Sequence, residues 1–288
     1  MVASKVNIDA TRKMLFVDAS YFVFYRYFAT YNWFRLQDTA KNGNDELSND
    51  LINNKTFVAK YEKVFEDTVK KLVKQYSVAW DNVVFFKDSP RMHVWRNDIF
   101  EEYKAARETS ATFNADVFQY TFAHLLPKLA QKLGFKMLQC DRLEADDLIA
   151  IVKGVVRAKM PCIKITIITN DNDYVQLYDD HTSIVNLQGK ELKDRVGLDG
   201  DSKAAAREYL LKKVIMGDKS DCIPSIKKKV GPKTADKLAK DPVALQALFD
   251  KHPEAKQQFD LNKTLIDMTC IPQDLEKAVL DLIEVTGV

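Results

Sequence analysis

Cysteine and histidine are scarce in this sequence, which has four of each among 288 residues. The cysteines, Cys140, Cys162, Cys222 and Cys270, are far apart, and no pair has the spacing of zinc ligands. The histidines are equally scattered, so we expect no zinc site. Nothing in the cysteine pattern suggests secretion, and we therefore predict reduced thiols in an intracellular protein.

Long apolar runs are also missing. No segment approaches the roughly 20 residues that span a membrane, and residues 1–12 lack the apolar core of a signal peptide. Hydrophobic residues make up 46% of the chain and charged residues 29%, which is ordinary for a soluble globular protein. The net charge of +2 alone neither favours nor excludes a nucleic-acid partner. We expect a monomer without membrane contact. We expect no ATP site, because residues 231–234 lack the glycine spacing of a P-loop.

The most unusual stretch is Leu143–Ala150, where Glu144, Asp146 and Asp147 lie close together. The apolar run Leu148–Val152 follows and predicts a helix with an acidic first turn. Carboxylates suit the positive end of a helix dipole, which explains one or two of the three acids. Like charges this close repel unless a cation lies among them. We therefore interpret the stretch as a metal-binding site, with helix capping as the alternative.

Short apolar runs alternate with amphipathic segments over the first two thirds of the chain. We predict strands at 14–17, 82–87, 135–138, 163–168 and 182–187, helices at 22–34, 55–76, 116–133 and 203–216, and a polar loop at 36–54. This alternation favours an α/β fold with a mostly parallel central sheet flanked by helices. We place that core at 14–198 and a second, helical region at 199–288.

Acidic side chains follow several of the predicted strands. Asp18 and Asp88 each come just after a strand, and Asp171 and Asp173 follow another. Ligands of parallel sheets bind at the carboxyl ends of the strands, where these acids would converge with the acidic helix. One acid in such a place could cap a helix, but capping explains several converging acids poorly. The sequence therefore predicts a metal site at this edge.

Five motifs, in this order, resemble the 5′-nuclease superfamily, which includes flap endonucleases, the 5′-nuclease domain of bacterial DNA polymerase I and phage enzymes such as phage RNase H. The motifs are Val17–Ser20, Phe86–Asp88, Glu144–Asp147, Thr169–Asp173 and Met216–Asp221. The match runs from about residue 14 to 240. It implies a PIN-like core, and the short remainder indicates a stand-alone, viral or phage-type enzyme without a polymerase domain. Such an enzyme would act in the cytoplasm or nucleus of an infected host.

The resemblance implies that the acids hold two divalent ions. The first ion would be served by Asp18, Asp88, Glu144 and Asp146. The second would be served, directly or through waters, by Asp147, Asp171, Asp173, Asp218 and Asp221. Ligand sets made only of oxygen favour Mg²⁺, with Mn²⁺ able to substitute. Two ions about 3.5–4 Å apart can activate a water and stabilise the leaving oxygen of a phosphodiester.

The resemblance also assigns segment 89–114 to the family's arch over the active site. Tyr103, Lys104 and Arg107 would grip the scissile phosphate and stack on the base beside it, with Lys104 and Arg107 on one helical face. The alternative is a plain amphipathic helix that packs Trp95, Ile99 and Tyr103 into the core.

Residues 221–240 look like the family's helix–hairpin–helix-type motif. The DNA contacts implied here and in the arch are Arg91, Arg96, Lys227, Lys228, Lys229, Gly231, Lys233 and Thr234. Relatives usually carry Gly-Ile-Gly where this chain has Lys229-Val230-Gly231. The departure leaves open whether the chain binds the monovalent ion, K⁺, that some relatives hold there.

These features predict a structure-selective, divalent-metal-dependent 5′-nuclease, a flap endonuclease or 5′-3′ exonuclease that acts in DNA replication or repair. Its partners would be DNA with 5′ ends or flaps and replication proteins, with the RNA of RNA–DNA hybrids left open as a further substrate. The alternatives are a 5′ exoribonuclease, a non-catalytic DNA-binding scaffold, and a phosphatase that uses Asp171-Asn172-Asp173.

Overall fold

A parallel sheet forms the centre of the computed structural model, which describes residues 12–42, 50–106, 113–198 and 202–287. Its strands are β1 (Lys13–Asp18), β2 (Val83–Phe86), β3 (Lys136–Leu138), β4 (Lys164–Ile168) and β5 (Thr182–Val185). All pair in parallel, in the order β3-β2-β1-β4-β5. The predicted α/β class and the fifth strand are thus confirmed.

The helices flank this sheet and fill the last third of the chain. They are α1 (Ala19–Asn42), α2 (Lys55–Tyr76), α3 (Ala115–Tyr120), α4 (Leu126–Leu133), α5 (Ala145–Lys159), α6 (Leu192–Val196), α7 (Ser202–Met216), α8 (Pro232–Lys240), α9 (Pro242–Lys251), α10 (Pro253–Ile266) and α11 (Gln273–Thr286). A π-helical turn, Thr121–Leu125, joins α3 to α4, so the helix predicted at 116–133 is one helical segment.

The polar loop predicted at 36–54 is wrong at its beginning, because α1 continues to Asn42. The rings of Phe34 and Phe57 meet edge-on at 5.7 Å and anchor α1 just before this point. Beyond it residues 35–37 are exposed. The extra turns therefore extend an anchored helix, which costs less than starting a new one. The rest of that prediction falls partly on 43–49, outside the described residues.

Alternate residues of the strands point to two hydrophobic layers, as the two-residue period of a strand requires. Leu15 and Val17 of β1 belong to the core beneath α1 and α2, whereas Met14 and Phe16 belong to the core beneath α5. Asp18 ends this run, so the last side chain of β1 leaves the core and reaches the carboxyl edge of the sheet.

The C-terminal helices form a small core of their own and also join the main one. Residues of α7, α8 and α9 pack around Ile215, Leu238 and Phe249. Leu265 of α10 and Val279 of α11 belong instead to the core beneath α5. The boundary predicted between 198 and 199 therefore does not separate two independent cores.

The plain amphipathic helix given as the alternative for 89–114 is not present between 89 and 106. Two short 3₁₀ turns, Arg91–His93 and Trp95–Asp98, occupy this stretch instead. Trp95 and Tyr103 are buried as the alternative predicted, but Ile99 is 45% exposed, so the prediction that it packs into the core is wrong. Residues 107–112, including the predicted phosphate contact Arg107, lie outside the described residues.

Arg96 is one of the most buried charged residues in the described part of the chain, with 2% of its surface exposed. Its guanidinium grips Asp147 through two bonds of 2.7 and 2.8 Å, and its Nε donates to the Leu265 carbonyl at 2.8 Å. The prediction that Arg96 contacts DNA is therefore wrong. Instead, Arg96 connects the start of α5 to the end of α10.

We predict that Arg96→Met lowers the free energy of unfolding by about 3–5 kcal/mol, because it leaves the Asp147 carboxylate buried and unpaired. Urea unfolding in EDTA measures the change. The exposed Arg91 provides the control, since Arg91→Met should cost no more than about 0.5 kcal/mol. A loss below about 1 kcal/mol for Arg96→Met would contradict the role given to this pair.

Candidate metal centre

The first group of carboxylates lies at the carboxyl edge of the sheet. Asp18 ends β1, Asp88 follows β2 by two residues, and Glu144 and Asp146 lie at the start of α5. All four line an open cleft of about 640 Å³. We call these four residues the first cluster. The structure thus brings together the residues predicted for the first ion.

Asp18 is held by neutral donors. Its Oδ1 accepts the Tyr21 N–H at 2.9 Å, and its Oδ2 accepts the Thr169 hydroxyl at 3.0 Å. Burial, together with the nearby charge of Asp88, raises the pKa of Asp18 to about 7. The negative charge at this position is therefore costly, and a cation in the cleft would offset that cost.

Asp88 and Asp146 share this environment. Asp88 accepts the Ala145 N–H at 2.8 Å, at the positive end of α5, and also the Ser20 hydroxyl. Burial is the largest cause that raises the pKa of Asp88. Burial and the neighbouring charge of Asp147 raise the pKa of Asp146 well above its ordinary value. Three acids of the cluster thus resist ionisation while no cation is bound.

Glu144 is the member of the cluster with cationic neighbours. Its carboxylate accepts bonds from Lys104 Nζ at 2.5 Å, the Tyr103 hydroxyl at 2.8 Å and Arg96 at 3.1 Å. Burial alone would raise the pKa of Glu144, but Lys104 and Arg96 lower it below its usual value. Because the Tyr103 ring is 5% exposed, the prediction that it stacks on a base is wrong; Tyr103 orients Glu144 instead.

Asp147 does not face the cleft. It is fully buried, both of its oxygens accept from Arg96, and Oδ2 also accepts the Trp95 Nε1–H at 3.1 Å. Its oxygens come near those of Glu144 and Asp146, but Arg96 neutralises this carboxylate. Among the described residues, Asp147 therefore makes no direct contact with the other acids predicted for the second ion, and its predicted role through water stays a prediction.

A second group of carboxylates lies beside the first. Asp173, Asp218 and Asp221 each offer an oxygen within 4.8 Å of the others, and we call them the second cluster. Asp173 and Asp218 line an adjoining cleft of about 660 Å³, and Asp171 borders both clefts. The structure therefore also brings together the acids predicted for the second ion, apart from Asp147.

A tight loop positions Asp218 and Asp221. Asp218 and Ile223 exchange two backbone hydrogen bonds, of 2.9 and 2.8 Å, which close the loop directly after α7. Gly217 precedes this loop with φ +74°, and a Cβ there would lie 2.4 Å from two backbone oxygens. The glycine of the Met216–Asp221 motif is thus required by geometry.

Lys104 joins the two clusters. Its Nζ lies 2.5 Å from Glu144 Oε1 and 3.8 Å from Asp221 Oδ2, and its N–H donates to the Asp221 carbonyl at 3.0 Å. The backbone at Lys104 has φ +56°, which is not helical. The predicted shared helical face with Arg107 is therefore wrong at Lys104, although Lys104 does lie at the site.

Sequence reasoning missed Lys213, which lies within the second cluster. This α7 side chain is 13% exposed and bridges Asp173 to Asp218 Oδ2, the latter at 2.7 Å. The Asp218 pKa, which burial alone would raise, is lowered to about 2 by Lys213. The only sign of this role in the sequence is the position of Lys213 in α7, one turn before the Gly217 loop.

The residues predicted to contact DNA around α8 are mostly exposed. Lys228, Lys229, Lys233 and Thr234 are exposed, Gly231 is half-buried, and Lys227 is half-buried with its Nζ 2.7 Å from His252 Nε2. Arg91 is exposed and borders the cleft of the first cluster. At Lys229 the backbone has φ +70°, a left-handed conformation that favours glycine.

The donor chemistry of both clusters fits divalent ions of the magnesium type. Each cluster consists of carboxylates, whose oxygens are the ligands preferred by Mg²⁺, Mn²⁺ and Ca²⁺. The raised pKa values of the first cluster are a second sign of fit, because acids forced together in a buried place are stabilised by a bound cation.

Comparisons with known proteins agree with this geometry. A family model described as the 5′-3′ exonuclease N-terminal resolvase-like domain matches residues 13–204. DNA polymerase I of Lactococcus lactis is 25% identical over 248 residues, which is 83% of this chain and 25% of that protein. A 5′-3′ exonuclease of Buchnera aphidicola is 29% identical over 153 residues, which is 53% of this chain and 50% of that protein. The chain thus spans a quarter to a half of these relatives.

Two solved structures share the fold. The 5′-exonuclease of bacteriophage T5 with bound zinc superimposes with a TM-score of 0.63, at 18% identity, over 96% of this chain and 100% of that one. The bacteriophage T5 flap endonuclease, in a pseudo-enzyme–product complex with DNA and metal ions, gives a TM-score of 0.62 at the same identity and coverage.

The family match covers the entire parallel sheet together with all four acids of the first cluster. It also agrees with the resemblance that the ordered motifs carry. The chain therefore belongs to the 5′-3′ exonuclease family of the 5′-nuclease superfamily.

Proposed function

We propose that this protein is a divalent-metal-dependent 5′-nuclease that hydrolyses phosphodiester bonds of DNA at 5′ ends or flaps. The observation that carries the proposal is the meeting of two carboxylate clusters at the carboxyl edge of the sheet, with Lys104 between them. Among the residues that the structure describes, no helix has both the length and the apolar character to cross a bilayer.

The first cluster would hold one ion, and Asp171 with the second cluster would hold the other. When bound, Mg²⁺ or Mn²⁺ would lower the pKa of a water and stabilise the charge of the leaving oxygen. The chain itself orients the carboxylates that would bind the ions. Ser20 and Thr169 fix Asp88 and Asp18 by hydrogen bonds, and Tyr103 and Arg96 fix Glu144.

Lys104 would act on the scissile phosphate. Its ammonium is paired with Glu144 and Asp221 and faces the first cleft. Ions on those carboxylates would compete for the same oxygens and leave the ammonium to a phosphate oxygen at the same edge. There it would stabilise the negative charge that grows in the transition state.

The surface around the start of α8 would hold the duplex. The first amides of a nine-residue helix are suited to a phosphate, and Lys228, Lys229 and Lys233 are exposed beside them. This surface borders the second cleft through Val230 and Gly231. The chain would therefore grip DNA on one side of the cutting site. The same proposal includes Mg²⁺ as the natural ion, RNA–DNA hybrids as further substrates and replication proteins as partners.

The direct test is cleavage of a labelled 5′-flap duplex by the purified chain in Mg²⁺ and in EDTA. We expect cleavage only with the metal, and a loss of roughly 10³-fold or more for Asp146→Asn, which removes a ligand charge but keeps its shape. Binding to DNA in EDTA should persist. The exposed Asp274 on α11 gives the control Asp274→Asn, with unchanged cleavage expected.

Near-normal cleavage by Asp146→Asn would refute the metal assignment. Parallel flaps of RNA and of DNA decide between the proposal and a 5′ exoribonuclease.

For Lys104→Met we predict a fall in kcat of about 10²–10³-fold at saturating flap substrate, because one charge that stabilises the transition state is lost. The Michaelis constant should change much less. Lys128→Met, on the exposed surface of α4, serves as the matched control. If Lys104→Met raised only the Michaelis constant, Lys104 would be a binding contact rather than a catalytic residue.

The double change Lys228→Ala and Lys229→Gly tests the DNA grip. Glycine keeps the left-handed backbone at 229, so the change removes charge without strain. We predict a raised Michaelis constant, an almost unchanged kcat, and a plot of log affinity against log salt that is flatter by about 0.9 for each lost phosphate contact.

The control for this pair is Lys256→Ala on α10, where the lysine is paired with Asp260. It should leave both the affinity and the salt slope unchanged. Wild-type affinity and slope in the double variant would show that these two lysines face only solvent.

A further inference from the structure

Lys213 differs from the other charged residues of the site in what surrounds it. It is mostly buried, yet it belongs to neither the sheet edge nor the surface proposed for DNA. Its ammonium contacts Asp173 and lies 2.7 Å from Asp218 Oδ2, two of the three carboxylates of the second cluster. A cation of the chain itself therefore already lies among the ligands proposed for the second ion.

The geometry makes Lys213 and an incoming ion competitors. An Asp218 oxygen that lies 2.7 Å from the ammonium would lie about 2.1 Å from a bound Mg²⁺. The two cations would then be at most about 5 Å apart, whatever the angle at the oxygen. At this distance inside a largely buried site, salt screens their repulsion little. Either the ammonium moves away or the ion binds weakly.

The first cluster is built differently. Asp18 and Asp88 are held by hydroxyl and amide donors, from Ser20, Tyr21, Thr169 and Ala145, which bring no positive charge. Within the described part of the chain, only Glu144 of this cluster has an ion pair, with Lys104 and Arg96. In the second cluster, by contrast, all three carboxylates contact a lysine. The two clusters should therefore differ in affinity for the same ion.

We propose that Lys213 is a built-in counter-ion that the second divalent ion must displace. Lys213 thereby lowers the affinity of the second cluster for its ion, so that the first cluster fills before the second. In the metal-free protein its ammonium holds Asp173 and Asp218 in place. On loading, the ion takes over these carboxylates and the side chain turns away. Lys213 is thus a positioning residue that acts through the second cluster. The inference rests on the proposed function only in that divalent ions bind the clusters.

The test is a titration of the full chain with Mn²⁺, in which the electron paramagnetic resonance signal reports the free ion. We expect two classes of site in the wild type. In Lys213→Met, which keeps an unbranched side chain one atom shorter and removes the charge, the weaker class should tighten by about tenfold or more. The stronger class should change by less than about twofold. Lys213→Arg should keep the weaker class weak.

Lys212→Met is the matched control, because Lys212 is the neighbouring residue of α7 but pairs with Asp236, outside the cluster. It should leave both classes unchanged. The thermal midpoint in EDTA gives a second measurement: Lys213→Met should unfold earlier than Lys212→Met, and saturating Mn²⁺ should close this gap. A gap that Mn²⁺ leaves open would point to a merely structural role and overturn the proposal.

A third measurement needs no variant. Acetylation of the wild-type chain, read by mass spectrometry, should modify Lys213 slowly in EDTA and several times faster in saturating Mn²⁺, while Lys212 reacts alike in both. Unaltered Mn²⁺ affinities in Lys213→Met, or equal acetylation of Lys213 in both conditions, would refute the displacement.

If the wild type bound no Mn²⁺ at all, the metal centre of the proposed function would be refuted as well. Two sites of unaltered affinity would leave that function standing.

Discussion

Repulsion between carboxylates is the constraint on which this structure depends. The parallel sheet delivers acids from β1, β2 and β4 to one edge, and the start of α5 adds two more. Burial and like charge raise the pKa of Asp18 to about 7, so the site is costly without a cation. The protein limits that cost in the metal-free form with hydroxyls, helix amides and two lysines, Lys104 and Lys213.

The same constraint explains why residues far along the chain support the edge. Arg96 neutralises Asp147 at the start of α5 and bonds the Leu265 carbonyl at the end of α10. The C-terminal helices thereby help to hold the turn of α5 that presents Glu144 and Asp146. A fully buried Asn262 on α10 also donates to the carbonyls of Val214 and Pro224, on either side of the Asp218 loop. The second cluster is thus fixed from the same side of the molecule.

Much of this arrangement could be predicted from the sequence, because it follows from periodicity and from where strands end. The alternating apolar runs gave the sheet, and the acids beyond them gave most of the site. Asp218 and Asp221, which follow a helix, were assigned through the resemblance to the 5′-nuclease superfamily. The direction in which each side chain points could not be predicted. Glu144, Asp146 and Asp147 are neighbours in sequence, yet only contact with Arg96, 51 residues away, draws Asp147 into the core. Likewise, Tyr103 and Lys213 have ordinary sequence surroundings, and only the folded chain places them against carboxylates.

The most direct measurement of the central claim is anomalous diffraction from crystals of the full chain soaked in Mn²⁺. This account predicts two peaks at the edge of the sheet, one among Asp18, Asp88, Glu144 and Asp146, and one beside Asp173, Asp218 and Asp221. Asp147 should remain on Arg96 in that structure. An edge without a peak, or an ion bound by Asp147 in place of Arg96, would contradict the account.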